Sequence, residues 1–434
     1  MNEREDKSIL GTNGLRPSVF NRYIGSHEDK LVFNMCSCSL VELEKDKFNA
    51  LKEGNLGVFS EEELKALQKM NFVNSIPDER EYVMKEHFES SSSKDRLSLT
   101  VFTTTVCNAR CPYCFEKDME KISPSKEDVE NIIRFILKHK ERKIHLKWFG
   151  GEPLMNTALI DRVSSELKAN NVDFHSSMIT NGYLIASNLG KVRDWNLKTV
   201  QITLDGINEK YNAVKRYVYK NDENPFLTVV SGIKGLLALG VRISVRLNFD
   251  KHNYKDVIEC IDYLHKEIGH PANFKMYCHN IFGPEESYYL DDGTNLYQIV
   301  VGEMIRRGYI NTVSNLGFRY RPVPCAAYSP DFFVIDPHGR LLKCEHYAPE
   351  EIEPSIVGDV NTGVTDQKNY DYWLNRDYPY RKCASCEFLP LCQGGCRFES
   401  KRDYENGACL PYRDCIDELI YAYYSYKKSG CKLS

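Results

Sequence analysis

Residues 97–114 read LSLTVFTTTVCNARCPYC, an apolar run rich in β-branched residues that leads directly into a loop with three cysteines. Cys107, Cys111 and Cys114 have the spacing C-x3-C-x2-C. Three thiolates on one tight loop can each hold one iron of a cubane 4Fe–4S cluster, which leaves the fourth iron without a protein ligand. An iron of that kind can bind a small molecule. Zinc, the alternative metal, prefers four ligands and paired C-x2-C units, so the spacing favours iron–sulfur chemistry.

Five more β-rich runs follow the loop and alternate with segments of helical periodicity: KIHLKWFGG, FHSSMITNG, TVQITLDG, RISVRLNF and NFKMYCHNIF. Residues 125–140 predict one such helix, because they follow Pro124, begin with Ser125 and carry acidic residues in the first turn. The alternation predicts an α/β fold with a parallel sheet and right-handed crossovers. The cysteine loop then lies at the carboxyl end of the first strand, where barrels of this kind keep their active sites.

The loop in this position resembles the signature of the radical S-adenosylmethionine (SAM) superfamily. The resemblance implies a partial (β/α)6 TIM-like barrel, with SAM chelated by the open iron. It also implies reductive cleavage of SAM to a 5′-deoxyadenosyl radical that abstracts a hydrogen atom from substrate. The SAM-contacting residues implied by the family pattern are Gly150, Gly151, Glu152, Thr180, Asn181, Arg216, Arg246 and Asn248. Taken singly, each of these also fits an ordinary turn or salt bridge.

Eight of the sixteen cysteines lie between residues 325 and 415. A chain with no export signal favours metal ligation over disulfides for so many cysteines. One pattern is C-x13-G-x4-C over Cys325, Gly339 and Cys344. The other, C-x2-C-x5-C-x3-C, covers Cys383, Cys386, Cys392 and Cys396. A zinc ribbon is the alternative for the C-x2-C pair.

The order of these cysteines resembles the SPASM extension, which implies two auxiliary 4Fe–4S clusters and therefore three clusters in the chain. By the family pattern, Cys325, Cys344 and Cys396 hold the first auxiliary cluster. Cys383, Cys386 and Cys392 hold the second together with a late cysteine, and either Cys409 or Cys415 fits that position. The other late cysteine completes the first cluster or is structural, and in the structural case an open iron remains for a substrate thiolate.

Residues 18–80 lack the strand–helix alternation of the barrel. They resemble a RiPP recognition element, a small winged-helix-like α+β module of enzymes that modify ribosomal peptides. Such a module binds the leader of a precursor peptide as an added strand. The alternative is a module that only buttresses the barrel. The domain prediction is therefore a peptide-binding module over 1–92, a radical SAM barrel over 93–311 and a SPASM domain over 312–434.

Composition excludes several other classes. A net charge of −4 over 434 residues provides no electrostatic footprint for nucleic acid or for an anionic membrane. The charged start MNEREDKSIL and the lack of a long apolar run predict a cytoplasmic protein without membrane spans.

Together these resemblances imply a radical SAM peptide maturase that installs a thioether cross-link and receives electrons from a donor such as flavodoxin or ferredoxin. The alternatives are a carbon–carbon cross-link or other radical modification, sulfatase-type protein maturation, and a non-enzymatic iron–sulfur protein for electron transfer or peptide binding. No general base is assigned, because nothing in the sequence selects among Asp205, Tyr113 and Tyr277.

Overall fold

The structure is a computed structural model that describes residues 14–89, 95–218, 224–281, 289–310, 312, 316, 318, 320, 325–346, 355–374, 383, 385–396 and 409–430. Its contacts divide the chain into two compact units. One contains residues 1–91, 310–324 and 376–434. The other contains residues 92–309 and 325–375. Both ends of the chain therefore belong to the same unit.

The N-terminal module is a small α+β structure. Its three-stranded antiparallel sheet has the order β2-β3-β4, and β1 pairs with β5. The strands are β1 (Arg16–Pro17), β2 (Asn21–Ile24), β3 (Lys30–Asn34), β4 (Ser39–Leu43) and β5 (Val73–Asn74). The helices are α1 (Lys45–Glu53), α2 (Glu61–Lys69) and α3 (Glu79–Glu89). Ser60 begins α2 with a capping box to Glu63, and Leu64 and Leu67 pack into the buried core of the module.

Six parallel strands follow one another in chain order across the sheet of the second unit. They are β6 (Arg96–Thr104), β7 (Lys143–Gly150), β8 (Phe174–Thr180), β9 (Leu197–Leu204), β10 (Arg242–Phe249) and β11 (Phe274–Asn280). Alternate residues are buried: Ile144, Leu146 and Trp148 of β7 are 0% exposed, whereas Lys147 between them is only partly buried. The other face of the sheet therefore carries partly accessible polar side chains.

Helices connect most of these strands. They are α4 (Lys126–Leu137), α5 (Thr157–Ala169), α6 (Asn208–Lys215), α7 (Pro225–Ala238) and α8 (Tyr254–Ile268), and α9 (Leu296–Arg306) follows β11. Ser125 caps α4 as the sequence predicts, with a capping box to Asp128. The connection from β8 to β9 contains the short 3-10 helix Ala186–Lys191 and no α-helix among its described residues.

Four more strands extend the same sheet beyond β6. They are β12 (Phe332–Ile335), β13 (Arg340–Leu342), β14 (Ile356–Asp359) and β15 (Gly363–Val364), followed by α10 (Gln367–Leu374). β12 pairs in parallel with β6, and the later strands are antiparallel. Because this pairing ties residues 325–375 to the barrel, the contact-defined units divide the predicted C-terminal domain 312–434.

The C-terminal residues of the first unit contain α11 (Leu389–Cys392) and α12 (Ile416–Lys428). The last helix packs on the N-terminal module: the ring of Tyr421 stacks on His27, with centroids 3.6 Å apart, and Tyr424 donates to Glu42 on β4. Arg22 of β2 binds Asp417 of α12 through two hydrogen bonds of 2.9 and 3.0 Å. The two chain ends are thus joined by specific polar contacts.

The predicted parallel α/β barrel is confirmed, and each of the six predicted runs contains a strand. None of the helices in the described part of the chain combines the length and apolarity needed to cross a bilayer.

Candidate active site and cluster-binding cavity

The three-cysteine loop is held from both sides. Where β6 ends, Thr105 N–H donates to the carbonyl of Ile122 at 2.9 Å. On the other side, the N–H of Arg110 donates to the carbonyl of Lys215 at 2.8 Å, and that of Val218 to Asn108 at 2.9 Å. The segment after α6 therefore fixes the backbone that carries the three thiols.

The three thiols are partly buried, and this makes their charged forms costly without a cation. Burial raises the pKa of Cys107 to about 12 and that of Cys114 to about 11. Among the described residues, no three His, Cys, Asp or Glu side chains converge closely enough for a single metal ion. An iron–sulfur cluster does not need such convergence, because each thiolate binds a different iron. The donor set and its burial therefore fit a cluster with three protein ligands.

Gly150 and Gly151 lie against the backbone that leads into the cysteine loop. Gly150 has φ +117°, and a Cβ there would lie 2.1 Å from the carbonyl oxygen of Thr104. At Gly151 a Cβ would lie 2.5 Å from the oxygen of Thr105 and 2.6 Å from that of Val106. Glycine is thus required here by the close approach of two backbone segments, and the approach of SAM to the same glycines stays a prediction.

Glu152 is completely buried at the end of β7. Its Oε1 accepts from Thr180 Oγ1 at 2.7 Å and from Leu154 N–H at 3.1 Å, and its Oε2 accepts from Asn181 N–H at 2.9 Å. Burial raises the pKa of Glu152 to about 6, although these hydrogen bonds oppose the shift. The predicted residues Glu152, Thr180 and Asn181 therefore form one connected group, and Oε2 keeps capacity for a second donor.

Asn181 links this group to the cysteine loop. Its Nδ2 donates to Asn108 Oδ1 at 2.7 Å and lies 3.9 Å from Cys107 Sγ. Asn108 is buried, and its own Nδ2 has no hydrogen-bond partner among the described atoms. A buried amide donor of this kind, next to a predicted cluster ligand, fits a site for a polar or anionic group.

A buried ion pair lies on the other side of the loop. Lys215 Nζ is 2.7 Å from Asp205 Oδ2, and the two side chains are 3% and 0% exposed. Tyr113 donates to the same Asp205 oxygen at 2.7 Å, and Asn248 Nδ2 lies 3.4 Å from the Tyr113 hydroxyl. Burial alone lowers the pKa of Lys215, but the facing carboxylate reverses this and holds the pKa well above its usual value.

The sequence pattern predicted Arg216 as a site residue, but the residue that lies in the site is its neighbour Lys215. Arg216 is the left-handed residue that ends α6, with φ +50°, and its exposed side chain donates to the carbonyl of Ala213. The structure thus places Arg216 away from the group, whereas Lys215 enters it. One signal was present in the sequence: Lys215 follows Tyr211 by four positions and so shares its helical face, where Tyr211 is buried.

Arg246 and Asn248 lie on one face of β10, as alternate residues of a strand do. Arg246 Nε donates to Asn248 Oδ1 at 2.8 Å. Through Asn248 the pair reaches Tyr113 and the buried ion pair. The predicted residues of the site therefore come together at the carboxyl ends of the strands, apart from Arg216.

Residues 101–283, which contain all of this site, match the family model described as the Radical SAM superfamily. The chain contains a radical SAM domain. This domain implies SAM and one 4Fe–4S cluster, and the prediction that the protein is an enzyme is confirmed.

Relatives of this radical SAM enzyme cover most of its length. One is the radical SAM cyclopropyl synthase TigE of Paramaledivibacter caminithermalis, which is 22% identical over 81% of this chain and 79% of its own length. Another is a cysteine-type anaerobic sulfatase-maturating enzyme of Clostridium novyi, 24% identical over 69% of this chain and 87% of its own.

A solved structure has a similar fold. SuiB of Streptococcus suis, bound to its precursor peptide SuiA, superimposes with a TM-score of 0.50 at 15% identity, covering 90% of this chain and 97% of SuiB. At that identity the likeness concerns the fold alone.

The radical SAM enzyme has a second group of cysteines around a cavity of about 560 Å³ in the first unit. Cys383, Cys386, Cys392 and Cys409 all line it. Burial and the three neighbouring thiols raise the pKa of Cys392 to about 12. Gln393, the next residue, is 5% exposed, and both of its amide atoms lack hydrogen-bond partners among the described residues. Four thiols around one cavity fit a fully ligated 4Fe–4S cluster.

The geometry separates the two late cysteines that the sequence left equivalent. Cys409 lines the cavity, whereas Cys415 is 3% exposed in the turn before α12 and donates to the carbonyl of Tyr412 at 3.6 Å. Cys415 does not line the cavity. The arrangement therefore favours Cys409 as the fourth ligand.

The three residues predicted for the first auxiliary cluster belong to different units. Cys325 and Cys344 flank β12 and β13 in the barrel unit, and Cys396 follows α11 in the other unit. Their joint ligation stays a prediction.

Proposed function

We propose that this radical SAM enzyme modifies a ribosomally made precursor peptide and closes a thioether cross-link within it, with two auxiliary 4Fe–4S clusters. The observation that carries the proposal is that the first unit contains two functional parts. The four-cysteine cavity and a small α+β module with an open strand edge form one compact body. Peptide capture and auxiliary iron–sulfur chemistry are thereby combined in one enzyme.

The strand edge supports a peptide substrate. Within the described residues β4 pairs only with β3, and Leu40, Val41 and Leu43 on β4 are partly exposed. An extended leader can add to such an edge through main-chain hydrogen bonds, while side-chain pockets select its sequence. SuiB, whose fold is similar, binds its own precursor peptide SuiA.

Cys107, Cys111 and Cys114 would hold the 4Fe–4S cluster, which would supply the electron for the reductive cleavage of SAM. The protein's own residues orient the reactants. Glu152 Oε2 accepts from a donor on SAM, and Asn181 fixes Glu152 relative to the loop. The buried ion pair of Asp205 and Lys215 holds Tyr113 in one position.

Thioether closure joins a cysteine sulfur to a peptide carbon. The carbon loses a hydrogen atom to the adenosyl radical, which becomes 5′-deoxyadenosine. The thiol loses a proton as its sulfur bonds to the carbon, and the one electron left over passes to an auxiliary cluster. The peptide therefore becomes lighter by two hydrogen atoms and loses one free thiol. Cytoplasmic flavodoxin or ferredoxin is the proposed source of the reducing electron.

The test is an anaerobic assay of the reconstituted enzyme with SAM and dithionite. We expect 5′-deoxyadenosine from the wild type and none from the Cys111→Ala variant. Coexpression with short cysteine-bearing peptides encoded beside the gene then tests the product by mass and by alkylation with iodoacetamide. A product that has lost two hydrogens but keeps all its thiols would contradict the thioether and support a carbon–carbon cross-link.

Sulfatase-type maturation is the second candidate, because the Clostridium novyi relative covers 69% of this chain. That reaction oxidises a cysteine or serine side chain without joining two residues. Tandem mass spectrometry separates the outcomes, since a cross-linked segment does not fragment between its joined residues whereas an oxidised side chain leaves fragmentation intact.

A further inference from the structure

The four-cysteine cavity has a wall that comes from the opposite end of the chain. Val19, in the loop before β2, and Arg80, in the first turn of α3, line it together with the cysteines. Arg80 Nη1 donates to the carbonyl of Cys386 at 3.1 Å. The N-terminal module therefore contacts the backbone of a predicted cluster ligand.

Glu79, the residue before Arg80, fixes this arrangement. It is 4% exposed and accepts from Ser18 Oγ at 2.8 Å, from Val19 N–H at 2.7 Å and from Asn74 Nδ2 at 2.5 Å. These bonds hold the start of α3 against the loop that contains Val19. The Arg80 guanidinium also lies over the Phe20 ring, 5.3 Å from its centroid. The backbone at Arg80 is thus held in place by the hydrogen bonds of Glu79, and the Arg80 side chain extends from it to the cavity.

The other charged groups of the cavity leave it positive before any cluster is bound. Arg413 lies 3.6 Å from Cys409 Sγ and stacks over the Phe388 ring. The carboxylate of Glu387 also lines the cavity, but Arg22 binds it at 2.6 Å. Two guanidiniums therefore face the four thiols, and the lining carboxylate is already paired.

We propose that Arg80 is a positioning residue of the second auxiliary cluster and raises its reduction potential, so that the N-terminal module is a structural part of this redox centre. The inference rests on the proposed second cluster. A cubane held by four thiolates is an anion that gains a further negative charge on reduction. A fixed cation beside it stabilises the reduced form more than the oxidised form.

The experiment is an EPR-monitored redox titration in full-length protein whose Cys107, Cys111 and Cys114 are replaced by alanine, which removes the signal of the SAM-binding cluster. Adding Cys386→Ala identifies the signal of the second auxiliary cluster by its loss. In this background Arg80→Gln is expected to shift that signal to a more negative midpoint, and Arg80→Lys to keep it near the parent value. Lys65→Gln is the matched control, because it removes one positive charge from an exposed site of the same module.

The outcomes are distinguishable. If Cys386→Ala leaves iron content and EPR unchanged, the second cluster itself is absent and the proposed function needs revision. If the cluster is present but Arg80→Gln titrates like the parent or like Lys65→Gln, the inference about Arg80 is wrong. If Arg80→Gln loses the cluster's iron, recovery of the signal in Arg80→Lys supports the role of the charge, and no recovery overturns it.

Discussion

Lys215 and Asp205 form a buried ion pair inside the barrel, and each charge there depends on the other. Their side chains are almost fully buried next to the cysteine loop, and each is the other's counter-ion. One oxygen of Asp205, Oδ1, has no hydrogen-bond partner among the described atoms. A buried pair of this kind tolerates the loss of one partner poorly, because the remaining charge has no compensation.

Lys215→Met is therefore expected to destabilise the fold by roughly 3–5 kcal/mol, measured as a lower denaturant midpoint in urea. Lys210→Met is the control, since Lys210 pairs with Asp256 at the surface and is 56% exposed, so its loss costs about 0–1 kcal/mol. Adding Asp205→Asn to Lys215→Met should recover part of the loss. Equal effects of the two lysine variants would contradict the importance of the buried pair.

The late cysteines yield a second prediction for single residues. Cys409→Ala is expected to lower the iron content by at least about one iron per chain, because one corner of a cubane loses its thiolate ligand. Cys415→Ala should keep its iron, since Cys415 donates to a backbone carbonyl outside the cavity. Iron and sulfide analysis of anaerobically purified proteins checks this. Loss of iron in Cys415→Ala alone would reassign the fourth ligand.

At the scale of secondary structure, the contact of β7 with the end of β6 sets the shape of the active site. The N–H of Gly151 donates to the carbonyl of Thr104 at 3.0 Å, and that of Glu152 to Val106 at 2.9 Å. The turn after β7 is therefore bonded to the strand end that leads into Cys107. Glycine at positions 150 and 151 makes this approach possible.

Gly150→Ala is expected to weaken the barrel by about 1–3 kcal/mol and to lower the occupancy of the SAM-binding cluster, because it combines a positive φ with a backbone clash. Thermal unfolding and iron content report the two effects. Gly190→Ala is the control, since nothing lies within 4 Å of a Cβ there. A Gly150→Ala protein with the stability and iron content of Gly190→Ala would show that the close approach is dispensable.

Neighbouring strands also bring two histidines together. The rings of His145 on β7 and His175 on β8 stack with centroids 4.8 Å apart, and His145 Nε2 lies 2.9 Å from Ser177 Oγ. Burial and the neighbouring His175 lower the pKa of His145 to about 4. The folded protein therefore keeps His145 neutral where the unfolded chain, with a pKa near 6.5, protonates it.

Because the unfolded state binds the extra proton, this histidine makes the protein less stable as the pH falls from about 6.5 to about 4. The expected slope is on the order of 1.4 kcal/mol per pH unit within that window. His145→Gln should flatten the pH dependence of urea unfolding relative to the wild type, while His252→Gln, at an exposed position, should not. Parallel pH profiles for wild type and His145→Gln would contradict the shifted pKa.

On the scale of the whole molecule, the two ends of the chain form one compact unit while the barrel forms another. Arg22 connects three parts of the first unit. It extends from β2 to Asp417 on α12 and to Glu387, which follows the predicted ligand Cys386. The N-terminal module, the four-cysteine cavity and the last helix therefore depend on a common contact.

Arg22→Gln is expected to lower the iron retained by the four-cysteine cavity and to speed proteolysis near α12, because both carboxylates lose their partner. Arg162→Gln is the matched control: Arg162 also binds two carboxylates, Glu130 and Glu166, but bridges α4 and α5 at the surface. It should cost at most about 1 kcal/mol and no iron. Limited proteolysis with mass spectrometry and iron analysis measure both effects, and identical behaviour of the two variants would contradict the shared contact.

The sequence by itself determined the barrel and the three-cysteine loop. Strand runs alternate with helical periodicity over 94–282, and the predicted ligands Cys107, Cys111 and Cys114 lie within eight residues, so short-range spacing suffices to bring them together. The GGE turn and Asn181 follow from their places at strand ends, because parallel strands bring their carboxyl ends to one edge.

Only the tertiary structure decided which of two adjacent residues enters the site and which distant residues line the same cavity. Lys215 enters the site and Arg216 leaves it because the helix ends in a left-handed residue, a choice that depends on the packing of α6. Cys409 lines the four-cysteine cavity, and Arg80 reaches the same cavity from more than three hundred positions away. Spacing along the chain carries no information on such contacts, since they are set by how separate elements pack.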